Sequence, residues 1–494
     1  MLKRVEYKWI VAVIFVLGLF MEIMDMTILN VAIPTIKDEF QASHIAMEWT
    51  VLGYLLSLAI FIPASGWVGD RFGTKKTFLA ALFLFTVASA LCGLAQSVEQ
   101  LIAFRILQGV GGGMLTPVGT AMLYRAFPPE ERARASTVLI VPTVIAPATG
   151  PIIGGLLIDQ LSWHWIFFVN VPIGILGFVF GWKYLQENKE PTAGSFDMQG
   201  FLLSGIGLAG VLYALSRAPE IGWFSGWVLV TGLGGIALLL GAIYVETHKS
   251  EPMLALRLYK DRMFRNSNMV NTLAYGSFAA FLFLLPQFMQ ELLDYTALES
   301  GLTTFPQAIG IILTSQLVGK LYHSVGPRRL VTFGLLAVTA SNIPFLFLSL
   351  DASAWTIRGL MFARGISMAF AFVPLQAATY ANIDKPDTGR ASAIFSTQRQ
   401  VSAALGVAVL ATLFLSRLHA LAGDALPTPD MRLEAFQWAF AGSSLITLAG
   451  AIYAFVAIRD VDAASTMRRP FTAVETMELE GEIEGEIAPI DMSR

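Results

Sequence analysis

The feature that most constrains this chain is a succession of apolar runs, each long enough to cross a membrane as a helix. A transmembrane helix needs about 20 apolar residues. The runs cover residues 9–33, 47–68, 77–95, 100–124, 135–158, 163–184, 198–217, 224–246, 266–290, 299–321, 330–350, 355–381, 391–416 and 434–459. The polar stretches between them are no longer than loops. The sequence therefore predicts an all-α integral membrane protein with 14 transmembrane helices.

The composition excludes a string of soluble domains. Only 14% of the 494 residues are charged, 55% are hydrophobic, and the mean hydropathy is +0.63. Soluble proteins carry about 25% charged residues. The net charge of −3 offers no basic field for nucleic acid, and Cys92, the one cysteine, allows no internal disulfide.

The basic residues predict the orientation of the helices, because positively charged loops stay in the cytoplasm. With the N-terminus inside, 25 of the 33 basic residues fall in cytoplasmic segments and five in outer loops and their flanks. The other three, Arg105, Arg364 and Arg399, lie inside predicted helices. We therefore expect a multi-pass protein of the cytoplasmic membrane with both termini in the cytoplasm.

An internal repeat divides the chain into two halves. Gly66 and Gly73 precede a basic pair, and Gly319 and Gly326 repeat this spacing 253 residues later. Other landmarks recur at nearly the same offset. We expect a six-helix half in residues 1–184, two inserted helices and a cytoplasmic linker in 185–262, a second six-helix half in 263–459, and an acidic cytoplasmic tail in 460–494. Duplicated halves are typical of secondary transporters.

Two acidic residues, Glu22 and Asp25, lie well inside the first predicted helix, where their three-residue spacing places them on one face. A charge near the bilayer centre costs about 2.5–3.5 kcal/mol on insertion scales, so such residues commonly mark an ion or substrate path. Arg105 lies at a similar predicted depth and is the candidate partner of Asp25; a purely structural ion pair is the alternative. An ionised carboxylate attracts a cationic substrate and a protonated one releases it.

The energy source follows from what the sequence lacks. It has no Gly-x-x-x-x-Gly-Lys-Ser/Thr phosphate loop, which leaves an ion gradient as the common energy source. Because protonation of Glu22 or Asp25 would release a cation, we expect a proton gradient to drive transport, without a cofactor. The five histidines show no metal-ligand spacing, and neither a metal site nor a catalytic site is expected. The chain is expected not to be an enzyme and to function as a monomer.

Further polar residues inside the spans are candidates for contact with substrate or for hydrogen bonds between helices. The predicted substrate site comprises Glu22, Asp25, Gln108, Asn271, Tyr275, Gln307 and Gln398. In the fifth predicted helix, Gly150, Pro151, Gly154 and Gly155 concentrate small residues and a helix breaker. Such a segment can bend or pack closely against a neighbouring helix, although ordinary small-residue packing is an equal alternative.

The motifs together resemble the 14-helix drug:proton antiporters of the major facilitator superfamily, the EmrB/QacA-like branch. The matching segments are Asp25 to Pro34, Gly66 to Lys76, Arg105 to Gly109, Gly150 to Gly155 and Trp163 to Gly174. The resemblance implies that Asp25 is the proton-linked acid and Arg105 its partner in proton relay. It also implies that Gly66, Asp70, Arg71 and Gly73 form a cytoplasmic latch, and that Gly150, Pro151, Gly154 and Gly155 are the antiporter motif.

The leading hypothesis is proton-coupled efflux of hydrophobic or cationic compounds. A proton-coupled symporter for a nutrient such as a peptide, or a dedicated exporter of an endogenous lipid or siderophore, is the closest alternative. A transporter-like sensor or scaffold belongs to a different class, and the acidic tail mildly favours it. The direction of proton movement on addition of substrate distinguishes uptake from exchange.

Overall fold

The computed structural model describes residues 6–189, 194–249, 252–423 and 425–467, and throughout these ranges the regular elements are helices. The α-helices are α1 Tyr7–Phe40, α2 His44–Phe72, α3 Thr74–Gly93, α4 Val98–Ala126, α5 Arg132–Gln160, α6 Trp165–Phe168, α7 Asn170–Tyr184, α8 Met198–Ile221, α9 Gly226–His248, α10 Arg262–Leu292, α11 Ala297–Thr304, α12 Pro306–Val325, α13 Pro327–Asn342, α14 Ala354–Thr379, α15 Thr388–Ala422, α16 Pro429–Ala457 and α17 Ala464–Met467. The protein is thus an all-α membrane protein.

Within the described ranges, 13 helical segments are long and apolar enough to cross a membrane, and each corresponds to a predicted span. The predicted span 299–321 differs, because α11 and α12 divide it at Phe305. Pro306 occupies the first position of α12, where a proline has no amide hydrogen to continue the preceding helix but is well suited to begin a new one. Lys320 and His323 near the end of α12 also lower its hydropathy.

Several helices extend beyond the apolar run that predicts them, because polar residues cap their ends. Ser97 accepts a hydrogen bond from the Gln100 amide (3.4 Å) at the start of α4. Ser43 accepts one from the Ala46 amide (3.2 Å) at the start of α2. A capping hydroxyl satisfies an amide that has no partner within the helix. Hydropathy therefore finds the membrane-embedded part of these helices and misses their capped ends.

The helices pack into two groups. In α1–α7, α1 packs on α5, and α4 packs on both α2 and α3. In α10–α16, α10 packs on α15 and α16, and α14 packs on α12 and α13. Helix α15 meets α2 and α4, while α5 meets α12 and α14. Helices α8 and α9 pack on each other, and α8 also contacts α2 and α15. The two groups therefore face each other across one long interface.

A pair of tyrosines shows the repeat in three dimensions. Tyr124 and Ser136 are joined by a hydroxyl hydrogen bond of 2.9 Å. Tyr380 and Ser392, each 256 residues later, are joined in the same way at 3.3 Å. The two tyrosine rings stack on each other with centroids 4.1 Å apart. Equivalent positions of the repeat thus meet where the two groups of helices are in contact.

The turns after α2 and α12 repeat as well. Gly73 and Gly326 adopt positive φ values of 102° and 85°, which favour glycine because it has no Cβ. An acidic side chain fills the space beside each turn. Glu187 accepts a hydrogen bond from the Lys75 amide (3.0 Å), and Asp460 accepts one from the Arg328 amide (2.9 Å). Carboxylates are favourable at helix N-termini, here those of α3 and α13.

The beginning of the predicted acidic tail is helical. A 3₁₀ turn at Asp460–Ala463 leads into α17, and the Thr466 and Tyr322 hydroxyls are 2.7 Å apart. The rest of the predicted tail, residues 468–494, lies outside the described residues.

Candidate functional site

The candidate proton-coupling site is a cluster of polar side chains buried among α1, α4 and α7. Asp25 is 0% exposed, and its Oδ2 lies 2.5 Å from the Arg105 guanidinium. Its Oδ1 accepts hydrogen bonds from the side-chain amides of Gln108 (2.9 Å) and Asn170 (2.8 Å). The carboxylate is therefore held by one charged and two neutral donors, which satisfies the requirement that a buried charge be paired and hydrogen-bonded.

The rest of the Arg105 guanidinium is also held by neighbouring groups. Its Nε donates to the Thr50 carbonyl oxygen (3.2 Å), and one Nη donates to Gln108 Oε1 (2.7 Å). Its guanidinium carbon lies 4.2 Å from the centre of the Tyr54 ring. Such cation–ring contacts are most favourable when the cation is away from water. Helix α2 therefore orients Arg105, while α1 supplies its counter-charge.

Glu22 lies one helical turn from Asp25 but has different surroundings. It is 7% exposed, and its Oε2 accepts a hydrogen bond from the Thr116 hydroxyl (2.6 Å). Thr116 lines the cavity described next. The two neighbouring carboxylates therefore differ in their surroundings. Asp25 is enclosed with a cation, and Glu22 lies beside a wall of the cavity.

A cavity with an empty volume of about 710 Å³ lies between the two groups of helices, and we call it the central cavity. Both groups contribute to it. Its lining is mainly apolar and aromatic, with a few polar side chains, as is typical of sites for small molecules. The lining residues are Leu19, Thr116, Thr120, Leu139, Ile140, Thr143, Asn271, Tyr275, Phe278, Ile311, Met368, Phe372, Gln376, Phe395, Ser396 and Arg399.

A second cavity, of about 940 Å³, lies toward the predicted outer side, and we call it the outer cavity. It is formed by α1, α5, α10, α11 and α12, and includes Asn30, Pro151 and Gln307. Phe278 lines both cavities. The two spaces therefore lie on either side of one aromatic side chain at the interface.

The predicted substrate-site residues fall in different places. Asn271 and Tyr275 line the central cavity, and Gln307 lines the outer cavity. Gln108 is directed at Asp25 and Arg105. Gln398 is engaged elsewhere: it accepts a hydrogen bond from the Tyr259 hydroxyl (2.8 Å) and donates to the Thr272 hydroxyl (2.6 Å).

Tyr259 fixes Gln398 from outside the membrane-spanning helices. Burial raises the pKa of Tyr259 to about 12, so its phenol keeps its proton at neutral pH and remains a donor. Gln398 thus links the segment before α10 to α15, and it stays out of the central-cavity lining.

The predicted latch lies at the end of the interface that the charge pattern assigns to the cytoplasm. A Cβ on Gly66 would lie 3.0 Å from the Gly389 carbonyl oxygen, so α2 and α15 are in close contact there. Asp70 accepts from Arg125 (2.9 Å) and lies 3.9 Å from the Arg390 Nε. Arg71 is exposed.

Arginines of the first group close the same end by binding backbone of the second. Arg125 donates to the Lys385 carbonyl oxygen (3.1 Å), and Arg132 donates to the Ile383 carbonyl oxygen (3.1 Å). With the Tyr124 and Tyr380 stack, these contacts close the predicted cytoplasmic end of the interface.

The predicted antiporter motif lies against α1. A Cβ on Gly150 would come 2.1 Å from the Thr27 hydroxyl oxygen, and one on Gly154 would come 2.9 Å from Ile28. Gly155 faces open space, and Pro151 lines the outer cavity. Two glycines one turn apart thus bring α5 onto α1 directly after Asp25 in the chain.

Three polar residues with prominent positions are absent from the predicted site. Asn170 binds Asp25, but an amide carries no charge that would distinguish it in an apolar run. Arg399 and Arg364 were recognisable as charges inside helices. Arg364 is 1% exposed and donates to Asn342 Oδ1 (2.9 Å) and Gln307 Oε1 (2.6 Å), which are neutral acceptors.

Over the part of the chain that the structure describes, no three His, Cys, Asp or Glu side chains form a group able to hold a metal ion.

Comparison with known proteins identifies the family. The family model described as Major Facilitator Superfamily matches residues 15–407 and again residues 268–480. The chain is 34% identical over 403 residues to the multidrug resistance protein B homolog of Mycobacterium tuberculosis (strain CDC 1551 / Oshkosh), covering 81% of this chain and 74% of that protein. It is 32% identical over 408 residues to the multidrug export protein EmrB of Escherichia coli (strain K12), covering 81% and 79%.

A solved structure has the same fold. The crystal structure of the human organic anion transporter MFSD10 (TETRAN) matches with a TM-score of 0.65 at 14% identity, covering 90% of this chain and 99% of that chain. The family model and the relatives confirm the resemblance drawn from the motifs of the first six predicted spans. This multi-pass membrane protein belongs to the Major Facilitator Superfamily.

Proposed function

We propose that this protein is a proton-coupled antiporter that exports hydrophobic or cationic compounds, a multidrug efflux transporter working by alternating access. The buried pair of Asp25 and Arg105, at 2.5 Å, is the observation that carries the proposal. The names of the two relatives, one a multidrug resistance protein homolog and the other a multidrug export protein, support drugs as cargo.

The first step of the proposed mechanism takes place at Asp25. While the carboxylate is ionised, it neutralises Arg105 and accepts from Gln108 and Asn170. A proton on Asp25 removes the negative charge and weakens these three interactions, because charge-assisted hydrogen bonds are the stronger kind. Protonation thus loosens α1 from α4 and α7.

The second step transmits this change to the interface between the groups of helices. Thr27, two residues after Asp25, is in contact with Gly150 of α5, and α5 packs on α12 and α14. A shift of α1 relative to α4 therefore moves a helix that contacts both groups. Interfaces of this kind have discrete arrangements, so a small local change can select between them.

Glu22 supplies the exchange of cargo for proton. Its ionised form attracts a cation in the adjacent central cavity, and its protonated form does not. In the structure, the predicted cytoplasmic end of the interface is closed by Asp70, Arg125 and Arg132. This closure supports an outward-facing transporter, in which protons would enter the cavities and cargo would leave them.

The proposal also includes the location, oligomeric state and energy source of the protein. We place the protein in the cytoplasmic membrane with both termini in the cytoplasm, following the distribution of basic residues. It works as a monomer, takes its energy from the proton gradient without a cofactor, and carries out no chemical conversion of its cargo. Residues 1–184 and 263–459 are the two halves that move against each other.

Transport by the purified protein in proteoliposomes tests the proposal. With an acidic lumen and the membrane potential clamped to zero, external ethidium should accumulate inside in exchange for protons. Asp25→Asn should abolish accumulation, whereas Arg358→Gln, at an arginine outside both cavities, should leave it unchanged. Undiminished accumulation by Asp25→Asn would contradict the role of Asp25, and accumulation driven by the opposite gradient would indicate a symporter.

A further inference from the structure

The central cavity contains a guanidinium without a direct counter-ion. Arg399 of α15 lines the cavity, and its guanidinium carbon lies 5.5 Å from the centre of the Tyr275 ring. Within the described ranges, no carboxylate lies within ion-pair distance of Arg399. A charged group at membrane depth is costly and is normally paired or placed at a functional cavity.

Glu22 of α1 is connected to this cavity through a hydrogen bond, and within the described ranges it forms no ion pair with Arg399. It hydrogen-bonds to Thr116 of α4, which lines the cavity together with Arg399 of α15. Asp25, the other acidic residue of α1, is already neutralised by Arg105. The cavity therefore has a guanidinium from the second group of helices in its lining, and a carboxylate from the first group hydrogen-bonded to a lining residue.

The second group of helices contains another buried guanidinium, which lies outside the central-cavity lining. Arg364 of α14 binds neutral acceptors, and its guanidinium carbon is 3.9 Å from the centre of the Phe281 ring. At the position that the repeat makes equivalent to Asp25, 252 residues later, stands Ser277. Arg105 thus has a carboxylate partner, whereas the described residues of the second group place none beside Arg364 or Arg399.

We propose that the central cavity binds zwitterionic aromatic amphiphiles, with the substrate carboxylate on Arg399 and the substrate amine toward Glu22. The apolar part would lie against Tyr275, Phe278, Phe372 and Phe395, which line the same space. A guanidinium and a carboxylate form two parallel hydrogen bonds, which a compound without an acid cannot make. This inference names the substrate class of the proposed transporter and rests on the central cavity being its substrate site.

A pair of fluorescent probes isolates the carboxylate. Nε-Dansyl-lysine is a zwitterion, and dansylcadaverine is the same molecule without the carboxylate. Their affinities for the purified protein in detergent are measured by dansyl fluorescence, with no proton gradient. The wild type should bind dansyl-lysine about tenfold more tightly, the size expected for one charge-assisted interaction. Arg399→Gln should remove this preference and leave dansylcadaverine affinity unchanged.

Two further variants locate the effect. Arg358→Gln removes another arginine that lies over an aromatic ring, 4.8 Å from the Trp355 centroid and outside the cavity, and should change neither affinity. Glu22→Gln should weaken both probes but not 6-(dansylamino)hexanoic acid, which lacks the amine.

Three results would overturn the inference: no saturable binding of dansyl-lysine to the wild type, equal affinities for the two probes, or an Arg399→Gln variant that weakens both probes equally. Because binding is measured without a gradient, it can succeed where ethidium exchange fails. Such a result would reject proton-coupled export while leaving the charge preference of the cavity established.

Discussion

When a carboxylate and a guanidinium are buried together in a membrane protein, each lowers the free-energy cost of burying the other. Asp25 and Arg105 are 0% and 1% exposed, and neither has water to stabilise it if the partner is removed. Breaking a buried pair by removing one member typically costs about 3–5 kcal/mol, because a charge is left uncompensated. The same pair suits transport, because a proton on Asp25 can neutralise the carboxylate in place of Arg105.

Arg105→Gln should therefore destabilise the protein more than Arg364→Gln. The first substitution leaves Asp25 buried without its cation, and the expected loss is about 3 kcal/mol or more. The second removes a buried cation that binds the neutral side chains of Asn342 and Gln307. Thermal unfolding of the purified variants in one detergent measures the difference.

A double variant separates charge from packing. Asp25→Asn with Arg105→Gln should recover much of the stability lost in Arg105→Gln, since no charge is then left unpaired. If Arg105→Gln unfolds at the same temperature as Arg364→Gln, or if the double variant is no more stable than Arg105→Gln, the pair does not stabilise the fold as argued.

Charges inside spans were the part of the site that could be predicted at the residue scale. Glu22, Asp25 and Arg105 are exceptional in an apolar sequence, and the similar predicted depths of Asp25 and Arg105 indicate a pair from the sequence alone. Asn170 could not be selected in this way, because an amide in a helix has many ordinary partners. The direction of Gln398, away from the central cavity, depends on Tyr259, which is 139 residues distant in the chain.

At the scale of helices, the contact of α5 with α1 depends on two glycines. Gly150 and Gly154 face α1, whereas Gly155 faces open space. The close approach puts the α5 backbone beside Thr27, directly after Asp25. Small residues allow this kind of backbone contact between membrane helices.

Gly150→Ala should disturb this contact and reduce ethidium exchange. The added Cβ would come 2.1 Å from Thr27 Oγ1 and 3.2 Å from the Ile28 amide nitrogen, so α5 must move away from α1. Overpacking of this kind typically costs about 1–3 kcal/mol. Thermal unfolding and exchange rates of the purified variant are the measurements.

Gly155→Ala is the matched control, because nothing lies within 4 Å of a Cβ built there. It should keep both stability and exchange near the wild-type values. Equal effects of the two substitutions would show that helix propensity, and not the α1 contact, determines the outcome.

Hydropathy predicts these helices well for a simple reason: a membrane span needs a long apolar run, and such runs are easy to recognise. Hydropathy does not predict where a helix breaks or ends, because local backbone chemistry determines those points. The break at Phe305 depends on Pro306, and the extension of α1 to Phe40, beyond the predicted end at residue 33, depends on polar residues that continue the helix. Mean hydropathy identifies an apolar run and predicts neither of these two features.

On the scale of the whole molecule, the structure is closed at one end of the interface and has cavities in the middle and toward the other end. The closed end combines the Tyr124 and Tyr380 stack with arginines that bind backbone across the interface. The sequence repeat predicted two related halves, but not which ends of them touch. That choice depends on many weak contacts between residues far apart in the chain.

The central claim is that cargo and proton exchange for each other through the acids of α1. Its most direct test is proton movement when tetraphenylphosphonium is added to the purified protein in weakly buffered detergent containing a pH-indicator dye. We predict proton release by the wild type, and loss of that release in Asp25→Asn with Arg358→Gln unaffected. Proton uptake by the wild type, or undiminished release by Asp25→Asn, would contradict the account.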